Sequence, residues 1–120
     1  MGYRSEVKIL FSAKTEAEVD QFLVRMKIEE KLTDDMISWC SEERIGDGLG
    51  WFLSFESVKW YKDYEEVIAW TELMKQADIV PGMVCEFLRI GEEEDDIERK
   101  SYGEAMMNCL YVRKTIEVDF

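Results

Sequence analysis

The chain contains no histidine. That absence removes the commonest general base near neutral pH, the Ser-His and Cys-His pairs of nucleophilic catalysis, and the imidazole ligands of most zinc sites. Proline occurs once, at Pro81, so there is no proline-rich linker. The cysteines are three, Cys40, Cys85 and Cys109, widely spaced and without a CxxC pair. An odd number in apolar runs reads as buried, reduced thiols rather than a disulfide or metal framework. No apolar run approaches the ~20 residues that span a bilayer. The start, Met1-Gly2-Tyr3-Arg4-Ser5, runs straight into Glu6. It reads neither as a signal peptide, for want of an apolar stretch, nor as a myristoylation site, which needs Ser or Thr where Glu6 stands.

Cations are scarce as well. Fifteen Lys and Arg face 27 Asp and Glu, for a net charge of −12. Proteins that bind duplexes place cations against phosphates and release counterions. An acidic surplus of this size disfavours direct nucleic-acid binding and docking on anionic membranes, and keeps a chain soluble.

What is present is a core. Hydrophobic residues make up 47% of the 120 residues, among them four Trp, five Tyr and six Phe. That suffices for one domain, residues 1–120, without staples. Residues 6–13 alternate, with Val7, Ile9 and Phe11 on one face, and read as a half-buried strand. Thr15 followed by Glu18 reads as a capping box that opens a helix over residues 16–30. Val19, Phe22, Leu23 and Met26 form its apolar stripe. Residues 34–45 read as a second strand through Met36, Ile37, Trp39 and Cys40. The glycine-rich stretch 46–50 turns the chain into a third strand over 51–60, with Trp51, Leu53 and Phe55 on one face. It lacks the Lys and Ser/Thr of a phosphate loop and joins strands instead of opening a helix. Asp63 reads as the cap of a second helix, to about Gln76, carrying Val67, Trp70, Thr71 and Met74. Residues 83–90 and 107–118 read as two further strands, joined by a polar connection over 91–103. The expected core is Ile9, Phe11, Phe22, Leu23, Met26, Leu53, Phe55, Val67 and Phe87, with Met26, Met74, Met106 and Met107 as filler.

The expected fold is therefore α+β. The order is βαββαββ, a ferredoxin-like split β-α-β sandwich with two helices on one face of an antiparallel sheet.

Two segments stand out as candidate sites. Residues 92–98, Glu92-Glu93-Glu94-Asp95-Asp96-Ile97-Glu98, place six carboxylates in seven positions. The simplest reading is a solvated loop that discourages edge-to-edge association; the functional one is a negative patch that attracts a basic protein surface. The run lacks the spaced D-x-D-x-D-G pattern of a calcium loop, so no metal is expected. The second segment is Val58-Lys59-Trp60-Tyr61-Lys62-Asp63-Tyr64. Trp60 and Tyr61 there serve either as core packing or as a partner platform, since Trp and Tyr dominate binding hot spots.

Four sets of residues resemble one family. They are Met1-Gly2-Tyr3-Arg4-Ser5-Glu6-Val7; Val58-Lys59-Trp60-Tyr61; Phe87-Leu88-Arg89-Ile90-Gly91-Glu92 with Asp95-Asp96-Ile97-Glu98; and Leu110-Tyr111-Val112. The chain is similar to a group of small proteins carried by tailed bacteriophages and prophages, a group without an established activity. The resemblance implies a cytoplasmic setting in an infected or lysogenic bacterium. By analogy with small phage accessory proteins it also implies a protein that binds, and sometimes inhibits, a host or phage macromolecule.

The leading expectation is thus a non-enzymatic accessory protein with a protein partner. It acts through Glu92, Glu93, Glu94, Asp95, Asp96 and Glu98 with Trp60 and Tyr61, and one variant mimics nucleic acid. The alternatives are a small ligand-binding domain or enzyme that uses Arg4, Arg89 and carboxylates, and a structural or assembly role. A concave pocket lined by Arg4, Tyr61 and Arg89 favours the ligand site. No catalytic residue and no cofactor are expected.

Overall fold

The computed structural model describes residues 3–93, 95–103, 110–112 and 116–118. It is α+β. The elements run β1 (Ser5–Ser12), α1 (Glu16–Ile28), α2 (Asp34–Ser38), β2 (Ser41–Ile45), β3 (Gly50–Val58), α3 (Glu65–Lys75), β4 (Val84–Ile90), β5 (Ile97–Gly103), β6 (Leu110–Val112) and β7 (Ile116–Val118). A short 3-10 turn, Gln76–Asp78, continues α3. Five strands form one antiparallel sheet in the order β2-β3-β1-β4-β5, and β6 pairs with β7 in a second.

Strand β1 sits at the centre because its odd positions are apolar. Val7, Ile9 and Phe11 are fully buried. In register, Ile9 lies between Leu53 of β3 and Phe87 of β4. Successive strand residues point to opposite faces, so this parity gives the sheet one continuous apolar face. Helices α1 and α3 cover it with Val19, Phe22, Met26, Trp70, Leu73 and Met74. Phe11, Trp51, Trp70 and Phe55 are linked by ring centroids 5.2–6.3 Å apart. On the opposite face Leu10 and Leu88 form a small second cluster with Ile45 and Phe52 packed against it. Eight of the nine expected core residues are buried, Val67 outside the two clusters, and Leu23 is partly buried against the main one. Met106 and Met107 lie outside the described residues.

Helix α1 starts as its sequence indicates. The Thr15 hydroxyl accepts the Glu18 N–H at 3.2 Å and donates to the Glu18 carboxylate at 3.0 Å. Helix α3 departs from expectation: its N-cap is Tyr64, not Asp63, and no side chain closes the cap. Glu65 and Glu66 in its first turn still complement the helix dipole. The β2–β3 turn is a hairpin, with Gly46, Asp47 and Gly48 all at positive φ. Two glycines among three consecutive left-handed positions explain the local composition.

Two stretches correct the sequence reading. Residues 34–38 form a helix, not a strand. Thr33 caps it by accepting the Met36 N–H at 3.3 Å, and Asp34 and Asp35 occupy its first turn. Met36, Ile37 and Cys40 follow helical spacing, and only the next five residues join the sheet. Second, residues 97–103 are not a polar connection but an edge strand paired with β4 from Ile90↔Ile97 to Val84↔Gly103. Its charged residues hid it, and charge is what edge strands carry to avoid pairing with other chains. Residues 107–118, expected as one strand, contain the two short strands β6 and β7. Among the described residues, no helix is long and apolar enough to cross a membrane.

Phe22 is 2% exposed and meets Phe11 at 5.4 Å between centroids. Phe22→Ala is expected to lower unfolding free energy by about 3–5 kcal/mol, read from urea denaturation. A loss below roughly 1 kcal/mol would mean that this contact carries little of the core's stability.

Candidate functional site

Arg89 is the next-to-last residue of β4, and in register it lies opposite Val7 and Glu98. It therefore shares the helix-covered side with Val7 and Phe87, but at the end of the sheet where the helices thin out. Its side chain is 16% exposed. A guanidinium that far from water must be hydrogen-bonded. Nε donates to Glu98 at 3.0 Å, one Nη to the Asp96 carboxylate at 2.8 Å, and the other to Asp96 at 3.2 Å and the Ser5 hydroxyl at 3.1 Å. Lys100 adds an ion pair to the second oxygen of Glu98 at 3.3 Å.

Asp96 reaches Arg89 because the chain turns tightly between Ile90 and Ile97. The Gly91 N–H donates to the Asp96 carbonyl at 2.8 Å, and the Asp96 N–H to the Glu93 carbonyl at 3.1 Å. A side chain at Gly91 would collide with both the Asp96 carboxylate and the Tyr3 hydroxyl. Those two groups meet over the glycine: the Tyr3 hydroxyl donates to Asp96 at 2.6 Å and accepts the Glu93 N–H at 3.0 Å. The Tyr3 N–H in turn donates to the Tyr61 hydroxyl at 2.6 Å, and the Arg4 N–H to Glu92 at 2.8 Å. The start of the chain is thus fastened to the acidic turn and to the segment that leads into α3.

These groups form one end of a cleft of about 530 Å3 between α3 and the β4–β5 edge. Trp60, Val67, Met74 and Phe87 supply its apolar lining. Thr71 and Ile68 of α3 stand on its wall. Four cations, Lys62, Lys75, Arg89 and Lys100, share it with three carboxylates, Glu72, Asp96 and Glu98. Trp60 is held by Phe55 and Phe87, at centroid distances of 5.3 and 5.7 Å, and Tyr61 by Tyr64 at 5.0 Å. Strand β3 reaches this region through a bulge. The register with β1 shifts between Ser5 and Val7, and Ser57 adopts φ 52°. Bulges re-aim the chain beyond them.

The sequence-derived candidates divide accordingly. Tyr61 and Arg89 line one cleft, but Arg4 does not. In an extended strand Arg4 has the opposite parity to Ser5, and its guanidinium donates to the Ser57 carbonyl at 2.8 Å beside a separate depression with Glu6, Ile90 and Glu92. The acidic run is also divided. Glu92, Asp96 and Glu98 accept hydrogen bonds from within the chain, whereas Glu93 and Asp95 are exposed at the tip. Glu94 lies outside the described residues. Trp60 belongs to the packing of the main core while also lining the cleft. Thr71 was read from sequence only as part of the helix stripe, and Tyr3, Lys62 and Lys100 were not named as site residues. The parity of Glu98 and Lys100 beyond a glycine turn was the available signal for a charged edge strand.

The electrostatics favour holding over proton transfer. Hydrogen bonds from Arg89 and then Tyr3 hold the Asp96 carboxyl below its ordinary range. Burial pushes the Glu98 carboxyl up, but Arg89 and Lys100 outweigh it and leave it lowered. Both are ionised acceptors at neutral pH. The bond to Asp96 raises the Tyr3 phenol. Burial pushes the Cys40 thiol up to about 12 and the Cys85 thiol well above its ordinary value, so neither provides a ready thiolate. Cys109 lies outside the described residues. Among the described residues no group of three or more His, Cys, Asp or Glu is arranged to hold a metal ion.

A smaller cavity of about 230 Å3 lies between α2 and α3, lined by Asp35, Trp39, Glu65 and Trp70 among others. The Trp70 indole N–H is buried without a hydrogen-bond partner among the described residues. No known protein family, no curated protein and no solved structure matches this chain.

The lowered Asp96 pKa carries a pH signature. Its contribution to stability is complete above the ordinary value of 3.8 and is lost as pH falls through the lowered value. The stability difference between wild type and Asp96→Asn is therefore expected to be largest near neutral pH and to shrink as pH falls below 3.8. Urea midpoints measured from about pH 7 to about pH 2 check this. A difference that stays constant over that range would separate Asp96 from the ionic network.

Proposed function

We propose that this chain is a small ligand-binding protein whose ligand occupies the cleft between α3 and the β4–β5 edge. The observation that carries this reading is the cleft itself. Its volume of about 530 Å3 lies within the ~300–1,000 Å3 of small-molecule sites, where an apolar lining and a few converging polar groups are the usual arrangement. Its polar end is rigid, because Arg89, Asp96, Glu98, Ser5 and Tyr3 position one another. Binding is favoured over catalysis by what lines it. Asp96 and Glu98 are engaged, ionised carboxylates, and the lining includes neither Cys nor His.

The architecture suits this reading. The strand order β2-β3-β1-β4, with α1 and α2 in one crossover and α3 in the other, supports a ferredoxin-like split β-α-β core extended by β5.

A second reading is a phage accessory protein that binds a host or phage macromolecule through its acidic surface. The exposed tip residues Glu93 and Asp95 and the net charge of −12 favour it. The internal engagement of Glu92, Asp96 and Glu98 leaves it a smaller charged patch than the sequence suggests.

A thermal-shift screen of small molecules tests the first reading. Ligands of the cleft should raise Tm in wild type, and the rise should vanish in Thr71→Trp, which fills the cleft. Ile68→Trp, at a half-exposed position on the same wall, serves as a second blocking variant. Shifts that survive both substitutions would place binding elsewhere. For the second reading, Glu93→Gln combined with Asp95→Asn should slow capture of a basic partner from bacterial lysate at low salt and leave it unchanged at high salt. Equal capture at low salt would remove the acidic tip from the mechanism.

A further inference from the structure

The charges around the cleft do not cancel, and the residue lies at one position. Lys75 pairs with Glu72 at 3.4 Å. Arg89 is divided between Asp96 and Glu98, and Lys100 shares Glu98 at 3.3 Å. Lys62 makes no ion pair among the described residues, so four cations against three carboxylates leave one positive charge. This occurs in a chain of net charge −12, which collects four of its fifteen Lys and Arg around a single cavity. A surface that is anionic elsewhere and locally cationic at a cavity mouth orients an amphipathic ligand. The charged end is drawn to the lysines and the body to the apolar lining.

The lining then restricts the body. Trp60 and Phe87 present rings 5.7 Å apart, tilted by 35°, and Val67 and Met74 complete the apolar side. Phe87 is 2% exposed and backs Trp60, whose partly buried ring supplies the flat surface for a further ring; such a ring gains by offset or edge contacts beyond its buried area. The carboxylates restrict the head. A multiply charged anion would meet Glu72, Asp96 and Glu98 as well as the lysines, and like charges in a half-enclosed site repel.

We propose that the cleft takes a small aromatic monoanion: a flat apolar body against Trp60 with one carboxylate- or sulfonate-type head at Lys62, and Lys100 as the second cation of the rim. This rests on the ligand-binding reading above and adds the chemical class of the ligand.

Two dyes with the same phenylnaphthylamine body separate the two ideas. 8-Anilinonaphthalene-1-sulfonate carries one sulfonate, and N-phenyl-1-naphthylamine carries none. Each is titrated against the full chain by dye fluorescence excited directly in the dye. Thr71→Trp and Ile68→Trp, with folding checked by thermal melting, define the part of the signal that comes from the cleft. The expected result is that both dyes lose that signal in the blocking variants. Lys62→Glu should weaken the sulfonate by about tenfold, the size of one partly exposed charged contact, and leave the neutral dye within about twofold. The discrimination should fade near 1 M salt, where the screening length falls to ~3 Å. Lys100→Glu should act in the same direction with a smaller effect, since Glu98 already engages that ammonium. If the blocking variants abolish binding but the lysine variants shift both dyes equally or not at all, the cleft binds ligands and the monoanion assignment falls. If neither dye binds, or both bind unchanged in the blocking variants, the cleft reading and the assignment fall together.

Discussion

Arg89 projects a guanidinium from β4 into the helix-covered side of the sheet, and much of the surrounding structure follows from satisfying it. Desolvating that cation without partners would cost several kcal/mol. Asp96, Glu98 and Ser5 supply the oxygens from a turn, an edge strand and the start of the central strand. Each brings a further constraint. Asp96 holds Tyr3, Tyr3 holds Tyr61, and Gly91 leaves room for the first two to meet. One half-buried charge therefore ties together Tyr3 and Ser5, the acidic turn and the entry to α3, segments far apart in sequence and adjacent around the cleft.

The acidic run shows how local composition misleads about surface. Six carboxylates in seven residues read as a solvated ridge, because the flanking cations Arg89, Arg99 and Lys100 do not by themselves show which carboxylates they engage. In three dimensions the run bends back on Arg89, and two of its charges, Asp96 and Glu98, turn toward it. What remains outward is a short tip. Charge density along the chain is thus a poor guide to charge density in space wherever a tight turn brings an arginine of the preceding strand alongside.

Legibility followed periodicity. Residues 16–28 and 65–75 were readable because one face of each is buried and the other wet, and residues 5–12 because Val7, Ile9 and Phe11 alternate with polar Lys8 and Ser12, although Leu10 is buried on the second face. Residues 34–38 were not, since a single helical turn has too few positions to distinguish a period of two from one of 3.6. The cap at Thr33 with Asp34 and Asp35 was the better signal. Strand β5 was hidden because an edge strand with charged residues on both faces shows no apolar alternation. The cleft was legible only as a conjunction of Tyr61 and Arg89. Arg4 failed to join them for a reason of parity that a one-residue shift would reverse. The lysines of the rim carried no motif at all, since a cation's role there depends on which carboxylates have already been engaged by others.

The position of β1 has a consequence for how the molecule is made. The strand at the middle of the five-stranded sheet is synthesised before its two hydrogen-bonding neighbours, β3 and β4, which follow only after two helices and a further strand. Until β4 has emerged, the apolar side of Val7, Ile9 and Phe11 is only partly covered, and helix α1 alone is too short to bury it. Sheet completion must wait for the second half of the chain, and non-local pairing of this kind is slow. During synthesis the chain therefore presents an incomplete apolar strand, and a net charge of −12 opposes association between such incomplete chains.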